Sequence, residues 1–172
     1  HPSPRYGATL AYDAARGHSV LFGGSFLGIS GLSDTWGWDG SAWIELQPTH
    51  SPPPRWVAGL AYDSRRSRVV LFGGSTAGNG SSTIGDTWEW DGVDWTLVAN
   101  GSSPSPRAFP SMVWDSTRGV TVLFGGAEAS QNRPSETWTF GSRVSADTTT
   151  VVAGATLVSA FGGQSVIIVT PR

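Results

Sequence analysis

One phrase, written three times, limits what this chain of 172 residues can fold into. It reads Gly17-His-Ser-Val-Leu-Phe-Gly-Gly24, then Arg68-Val-Val-Leu-Phe-Gly-Gly74, then Gly119-Val-Thr-Val-Leu-Phe-Gly-Gly126. Each copy is a run of branched and aromatic residues that suits a buried, pleated surface. Each stops on two glycines, whose backbone reaches angles closed to other residues, so the strand can end sharply. A strand with its own stop signal in three copies predicts a repeat architecture built of β-structure.

The other anchors keep step. Arg5, Arg55 and Arg107 each follow a proline and lie 50 and then 52 residues apart. Gly23, Gly73 and Gly125 repeat those intervals, whereas Trp36, Trp88 and Trp138 are spaced 52 and then 50. The two extra residues therefore fall between Gly73 and Trp88, in a loop. Each unit predicts four strands: Tyr6 to Tyr12 and its equivalents, the glycine-ended strand, a strand carrying the paired aromatics Trp36 and Trp38, Trp88 and Trp90, or Trp138 and Phe140, and a last strand from Trp43 or Trp95. The aromatics of a pair are two apart and share one face of their strand. Trp36, Trp88 and Trp138 are expected in equivalent buried positions. Asp13 to Gly17, Asp63 to Ser67 and Asp115 to Gly119 read as hairpin turns. Asp39-Gly40 and Asp91-Gly92 read as tight turns with both residues at positive φ.

With Pro-Arg, Tyr-Asp or Trp-Asp, Leu-Phe-Gly-Gly, and Asp/Glu-Thr-Trp recurring in that order, residues 2 to about 140 resemble the kelch-repeat family, in particular its bacterial, galactose-oxidase-central-domain-like members. A period of roughly 50 residues agrees with kelch and not with the shorter WD40 repeat. The resemblance implies three kelch-type four-stranded antiparallel propeller blades, over about 2–50, 51–102 and 103–140. Residues 141–172 form a separate C-terminal β tail. The third unit lacks the Asp-Gly turn and any partner for Trp43 and Trp95, so its fourth strand is open to question. In the tail, Thr148 to Ala160 and Ser165 to Thr170 read as a β-hairpin.

Composition narrows the function. There is no cysteine, no lysine among 11 basic residues, and a net charge of −2 without a basic run, so nucleic acid is not an expected partner. No stretch is apolar for long enough to span a bilayer as a helix. The chain starts at His1 without a signal-peptide pattern, as a mature processed chain or a piece of a longer one would. Abundant Gly, Ser, Thr and Trp with few charges fit a secreted bacterial protein. His1, His18 and His50 have no metal-ligand spacing, so no metal and no cofactor are expected. The copper-radical chemistry of galactose oxidase needs a cysteine, which excludes it here. Asn79-Gly-Ser81 and Asn100-Gly-Ser102 match a glycosylation sequon but also read as turns.

No catalytic set can be assembled from these residues. The candidate ligand-binding set is Arg5, Arg55 and Arg107 with the adjoining aromatics Tyr6 and Trp56. By resemblance to kelch propellers that bind acidic peptides, the three arginines would ring one end of a central channel and clamp carboxylates. The competing reading pairs each arginine with a carboxylate of a neighbouring blade. Asp34, Asp86 and Glu136, each before Thr-Trp, would share a cation or, as the structural reading has it, accept hydrogen bonds where their strands begin. A second candidate surface is the loop holding Phe26, Leu27, Ile29 and Leu32, apolar residues that are costly to leave in water.

Two classes of function remain. One is a non-enzymatic binding or structural module that recognises protein or glycan, or assembles with itself. The other is a fragment of a larger kelch-fold enzyme, such as a sugar mutarotase or hydrolase. Three blades fall short of the ~4–8 that close a propeller. Assembly with a second copy, as a closed six-bladed dimer or a head-to-tail filament, is the expected remedy. The tail, with Val151, Val152, Val166, Ile167 and Ile168, is expected to supply an edge strand to another chain, or failing that to the chain's own third unit.

Overall fold

The computed structural model describes residues 1–77, 82–98 and 103–141, and the backbone of 166–170. Every regular element among them is a strand. The first unit holds β1 (Thr9–Asp13), β2 (His18–Phe22), a small pair β3 (Ser25–Phe26) and β4 (Ser30–Gly31), then β5 (Thr35–Trp38) and β6 (Trp43–Leu46). The second holds β7 (Gly59–Asp63), β8 (Arg68–Phe72), β9 (Thr87–Trp90) and β10 (Trp95–Val98). The third holds β11 (Ser111–Asp115), β12 (Val120–Phe124) and β13 (Thr137–Gly141), completed by β14 (Val166–Thr170). Three four-stranded antiparallel sheets result, each pairing its strands in chain order, with β3–β4 as a separate ribbon. No described helix is long and apolar enough to cross a membrane.

The glycine-ended strands β2, β8 and β12 are second in their sheets and are paired on both sides. This matches their apolar character: Val20, Val69, Val70 and Leu71 are fully buried. The sheets lie face to face, with β7 between β1 and β11, so the first strands of the three sheets are neighbours. Leu60, Val69, Leu71, Trp90 and Trp95 of the second sheet pack with Val20 and Phe22 of the first to make the main core. Phe22 meets Trp95 edge-on at 5.2 Å between centroids, a favoured aromatic geometry. The Trp95 indole N–H donates to Thr35 Oγ1 across the same junction at 3.0 Å.

Three expectations need correction, and for the C-terminal strand the second of two readings holds. The first strand begins at Thr9, not Tyr6, because Gly7 takes φ +58° and turns the chain; Tyr6 keeps only an isolated bridge to Ser25. The Asp-Gly turns are four-residue loops, since Trp38 pairs with Trp43 and Trp90 with Trp95. Only the glycine has positive φ; the Asp39 carboxylate accepts the N–H groups of Ser41 and Ala42, which fixes the loop from inside. Trp36, Trp88 and Trp138 are equivalent but half-buried, each pointing its indole at the carboxylate two residues before it. Finally, the C-terminal strand pairs within its own chain. β14 runs antiparallel beside β13, Thr137 opposite Thr170 and Gly141 opposite Val166, and fills the edge that the third unit's own sequence leaves vacant. Of the partners expected for this segment, the described one is the chain's own third unit, through β13. The expected hairpin mate Thr148 to Ala160, with Val151 and Val152, lies outside the described residues, as do both sequon asparagines.

Candidate functional site

The Pro-Arg arginines sit where their sheets begin. Arg5 donates from Nε to Ser3 O, from Nη1 to Gly23 O and Asp34 Oδ1, and from Nη2 to Ser3 Oγ and Asp34 Oδ2. All five of its donors are in use. Arg55 repeats the arrangement with Pro53 O, Gly73 O and both oxygens of Asp86, and Arg107 with Ser105, Gly125 O and Glu136. The fork-shaped guanidinium suits this task, because it grips a carboxylate bidentately while bracing the strand-ending carbonyl. Each carboxylate also accepts the indole N–H of its Thr-Trp tryptophan. The partner is a carboxylate of the arginine's own sheet, not of a neighbouring one as the competing reading had it. Arg55 and Arg107 are buried, and four of the five donors of each are engaged within the chain.

Burial alone would raise the Asp34 pKa. The bonds from Arg5 and Trp36 and the adjacent Arg5 charge outweigh it and hold the carboxyl below its ordinary value. Asp86 is lowered in the same way, against its burial, by the bond and charge of Arg55 and the bond from Trp88. Both carboxylates are anchored anions whose interactions account for their shared position before Thr-Trp.

Backbone bonds join one sheet to the next, and they repeat. Val57 N–H donates to Gly7 O at 2.7 Å, and Phe109 N–H to Val57 O at 2.8 Å. Gly24 N–H donates to Arg55 O, and Gly74 N–H to Arg107 O. Arg55 N–H donates to Leu32 O, and Arg107 N–H to Ile84 O. Three bonds thus stitch the first sheet to the second and three equivalent bonds stitch the second to the third. Gly7, Val57 and Phe109 all have positive φ, +58°, +49° and +57°. A β-branched residue there is strained, and the junction bonds made on both sides of Val57 hold it in place. The glycine preceding Gly24 or Gly74 has a further reason: a Cβ on Gly23 would lie 2.5 Å from Arg55 O, and one on Gly73 2.5 Å from Arg107 O.

At the opposite end of the sheets the turn arginines also bridge. Arg16 pairs with Asp13 and reaches Ser67 O and Asp91 O on the second sheet. Arg66 pairs with Asp63 and Glu89, and its guanidinium lies 5.2 Å over the Phe140 ring of the third sheet. The Asp-x-x-Arg spacing recurs in all three turns, but nothing in it signals that Arg16 and Arg66 bridge while Arg118, among the described residues, pairs only with Asp115.

The other candidate residues are scattered. Tyr6 is exposed; Trp56 is half-buried, bonded to Ala77 O and packed edge-on to Phe109 at 6.1 Å. In the β3–β4 ribbon Phe26, Leu27 and Ile29 are exposed, and Leu27 takes φ +58°, while half-buried Leu32 serves the first junction through its carbonyl. Val166, Ile167 and Ile168 lie in β14, with Ile167 opposite Phe140. A concavity of about 400 Å³ opens on the third sheet between Phe109, Gly126, Glu128, Gln131 and Arg133. Among the described residues, no group of three or more His, Asp or Glu is placed to hold a metal ion.

No family model matches the chain, and no curated protein sequence matches it. Solved structures do. The chain aligns over 96% of its length with a structure described as "Structure of YjhT", at 15% identity and a TM-score of 0.66. It spans 46% of that structure, a little under half of its length. At this identity the likeness is one of fold, and it covers all three sheets of this chain with half of a longer molecule.

Proposed function

We propose that this chain is a secreted, non-enzymatic module of the kelch type, whose three sheets are successive propeller blades. Its work is binding, to a protein or glycan ligand and to itself. The observation that carries this reading is the use made of the repeated polar residues. Every Pro-Arg arginine, every carboxylate before Thr-Trp and the first two turn arginines serve the sheet or its junction with the next. What remains for recognition is the surface: the apolar β3–β4 ribbon and the sheet faces at either end. Loops on a rigid scaffold commonly carry binding. The composition, rich in Gly, Ser, Thr and Trp and short of charge, supports a secreted protein. Sedimentation velocity together with glycan-array binding tests the proposal. Self-association or a saturable glycan signal, weakened by Phe26→Ser with Ile29→Ser, is expected. The absence of both association and binding would overturn it.

One observation favours a second reading. The chain spans less than half of the structure it resembles, so it fits within a larger kelch-fold enzyme such as a mutarotase or hydrolase. Glu128 in the concavity would then be the general-base candidate, and Arg133 a cation that holds the substrate. Anomer interconversion of a reducing sugar, followed by polarimetry and lost on Glu128→Gln, would establish that reading in place of the first.

A further inference from the structure

The junction between sheets is made twice inside the chain, and its two halves recur at the two ends. On the last sheet, Gly126 N–H, Phe109 O and Pro134 O occupy the positions of Gly24 N–H, Gly7 O and Leu32 O in the first junction. Among the described residues none of the three has a hydrogen-bond partner. On the first sheet, Gly7 N–H and the N–H and C=O of Arg5 occupy the positions of Val57 and Arg55, and they too have no partner among the described residues. Gly125 keeps φ +67°, yet the nearest atom to a Cβ built there is Pro134 O at 3.9 Å, where Gly23 and Gly73 have a carbonyl at 2.5 Å.

Side chains tell the same story. Phe22 and Phe72, sealed within junctions, are 1% and 3% exposed, but their equivalent Phe124 is 51% exposed. Leu60, pressed on the first sheet, is 8% exposed, whereas Leu10 is 56% exposed and Tyr12 stands out beside it. The aromatic wedge is preformed: Trp38 and Trp43 meet at 5.5 Å and 46°, as Trp90 and Trp95 do at 5.5 Å and 45°. Arg118 makes its own Asp115 pair, as Arg16 does with Asp13, but its side chain is 76% exposed against 29%.

We propose that the first sheet of one copy docks on the last sheet of a second copy, reproducing the internal junction. Trp43 then lies on Phe124 with its indole N–H on Thr137 Oγ1, as Trp95 lies on Phe22 and Thr35. Arg5 to Gly7 enter the concavity by Gly126 and Phe109. Two copies make two such contacts and close on each other, which agrees with a chain spanning a little under half of the longer structure that shares its fold. This deepens the self-association half of the function proposed above and rests on it.

The contact joins unlike faces, which gives it a distinctive test. Leu10→Glu alters only the first face and Phe124→Glu only the last, and both residues are exposed in the single chain, so each variant keeps its far-UV spectrum and unfolding midpoint. Sedimentation velocity up to about 100 µM reads the result. The unaltered chain gives a species of twice 18.1 kDa. Each variant alone loses association at least tenfold. An equimolar mixture of the two regains a dimer through its one intact contact. Association untouched by either variant, or a mixture that stays monomeric, overturns the junction and leaves self-association standing. A ladder of larger masses overturns closure by two copies. A monomer at every concentration, with unaltered chains, overturns self-association itself.

Discussion

Replacing Arg55 by lysine separates the charge of this residue from its shape. Arg55 is fully buried and donates four hydrogen bonds, to Pro53 O, Gly73 O and the two oxygens of Asp86. Lysine keeps the positive charge but gathers its donors on one atom, so it cannot reach a carboxylate and two carbonyls on different sides. At least two bonds are lost, one to a neutral carbonyl and one to the carboxylate. With ~0.5–1.5 kcal/mol for the former and ~1.5–3 for the latter, the loss comes to about 2–4 kcal/mol. For a chain of this size that lowers the melting temperature by roughly 5–15 °C. Urea unfolding followed by circular dichroism measures it. Arg118→Lys, at an exposed pair, is the control and is expected to change nothing measurable. A loss below about 1 kcal/mol at Arg55 would refute the lock described above. Lost ligand binding at unchanged stability would return this arginine to the clamp that the family resemblance implied.

Three further outcomes are expected. Asp34 and Asp86 have lowered pKa values, so the stability they contribute is complete above the ordinary value of 3.8 and is lost as pH falls below it; a pH titration of the unfolding midpoint should be flat from neutrality to that range and then drop, and Asp86→Asn should shrink the drop. A double-mutant cycle of Trp95→Phe with Thr35→Val should return a coupling of about 1 kcal/mol, and a coupling near zero would deny the cross-junction bond any energetic role. Ser67 takes φ +53° where Gly17 and Gly119 stand in the sister turns, so Ser67→Gly should stabilise the chain by up to about 1 kcal/mol in the same urea assay; a loss would mean that serine is not strained there.

The sheets were legible because their signals are local. A strand ending in Gly-Gly and a tryptophan pair two residues apart state their own geometry, and the 50-residue step places each copy. The candidate surface was legible only in part. The exposed ribbon of Phe26, Leu27 and Ile29 could be read from its apolar run. Nothing in the letters Val57 or Phe109 announces a left-handed backbone; bonds to other sheets impose it, and only the glycine at position 7 hints at it. The Arg55–Asp86 lock was foreseen as an arginine–carboxylate pair, but its partner sheet was not, because 31 residues of sequence separation carry no direction. The home of β14 was likewise undetermined, since a Val/Ile/Thr strand suits any open edge.

The two internal junctions are unequal, and this has a mechanical consequence. The first is latched by Trp95 against Phe22 and Thr35. In the third sheet the register of Trp95 is taken by Ile167, and between the second and third sheets Phe72, Thr87, Met112, Trp138 and Phe140 line a half-open apolar cleft. Side chains that line a cleft have fewer packing partners than side chains sealed within a junction. The first joint is therefore the more closely packed of the two, although equivalent backbone bonds stitch both. Where sheets are stacked in series, a loosely packed joint leaves more room for a change of angle than a tightly packed one. Filling that cleft with a larger side chain would tighten the joint and fix the pitch between sheets, for better or worse, at whatever angle the new side chain dictates.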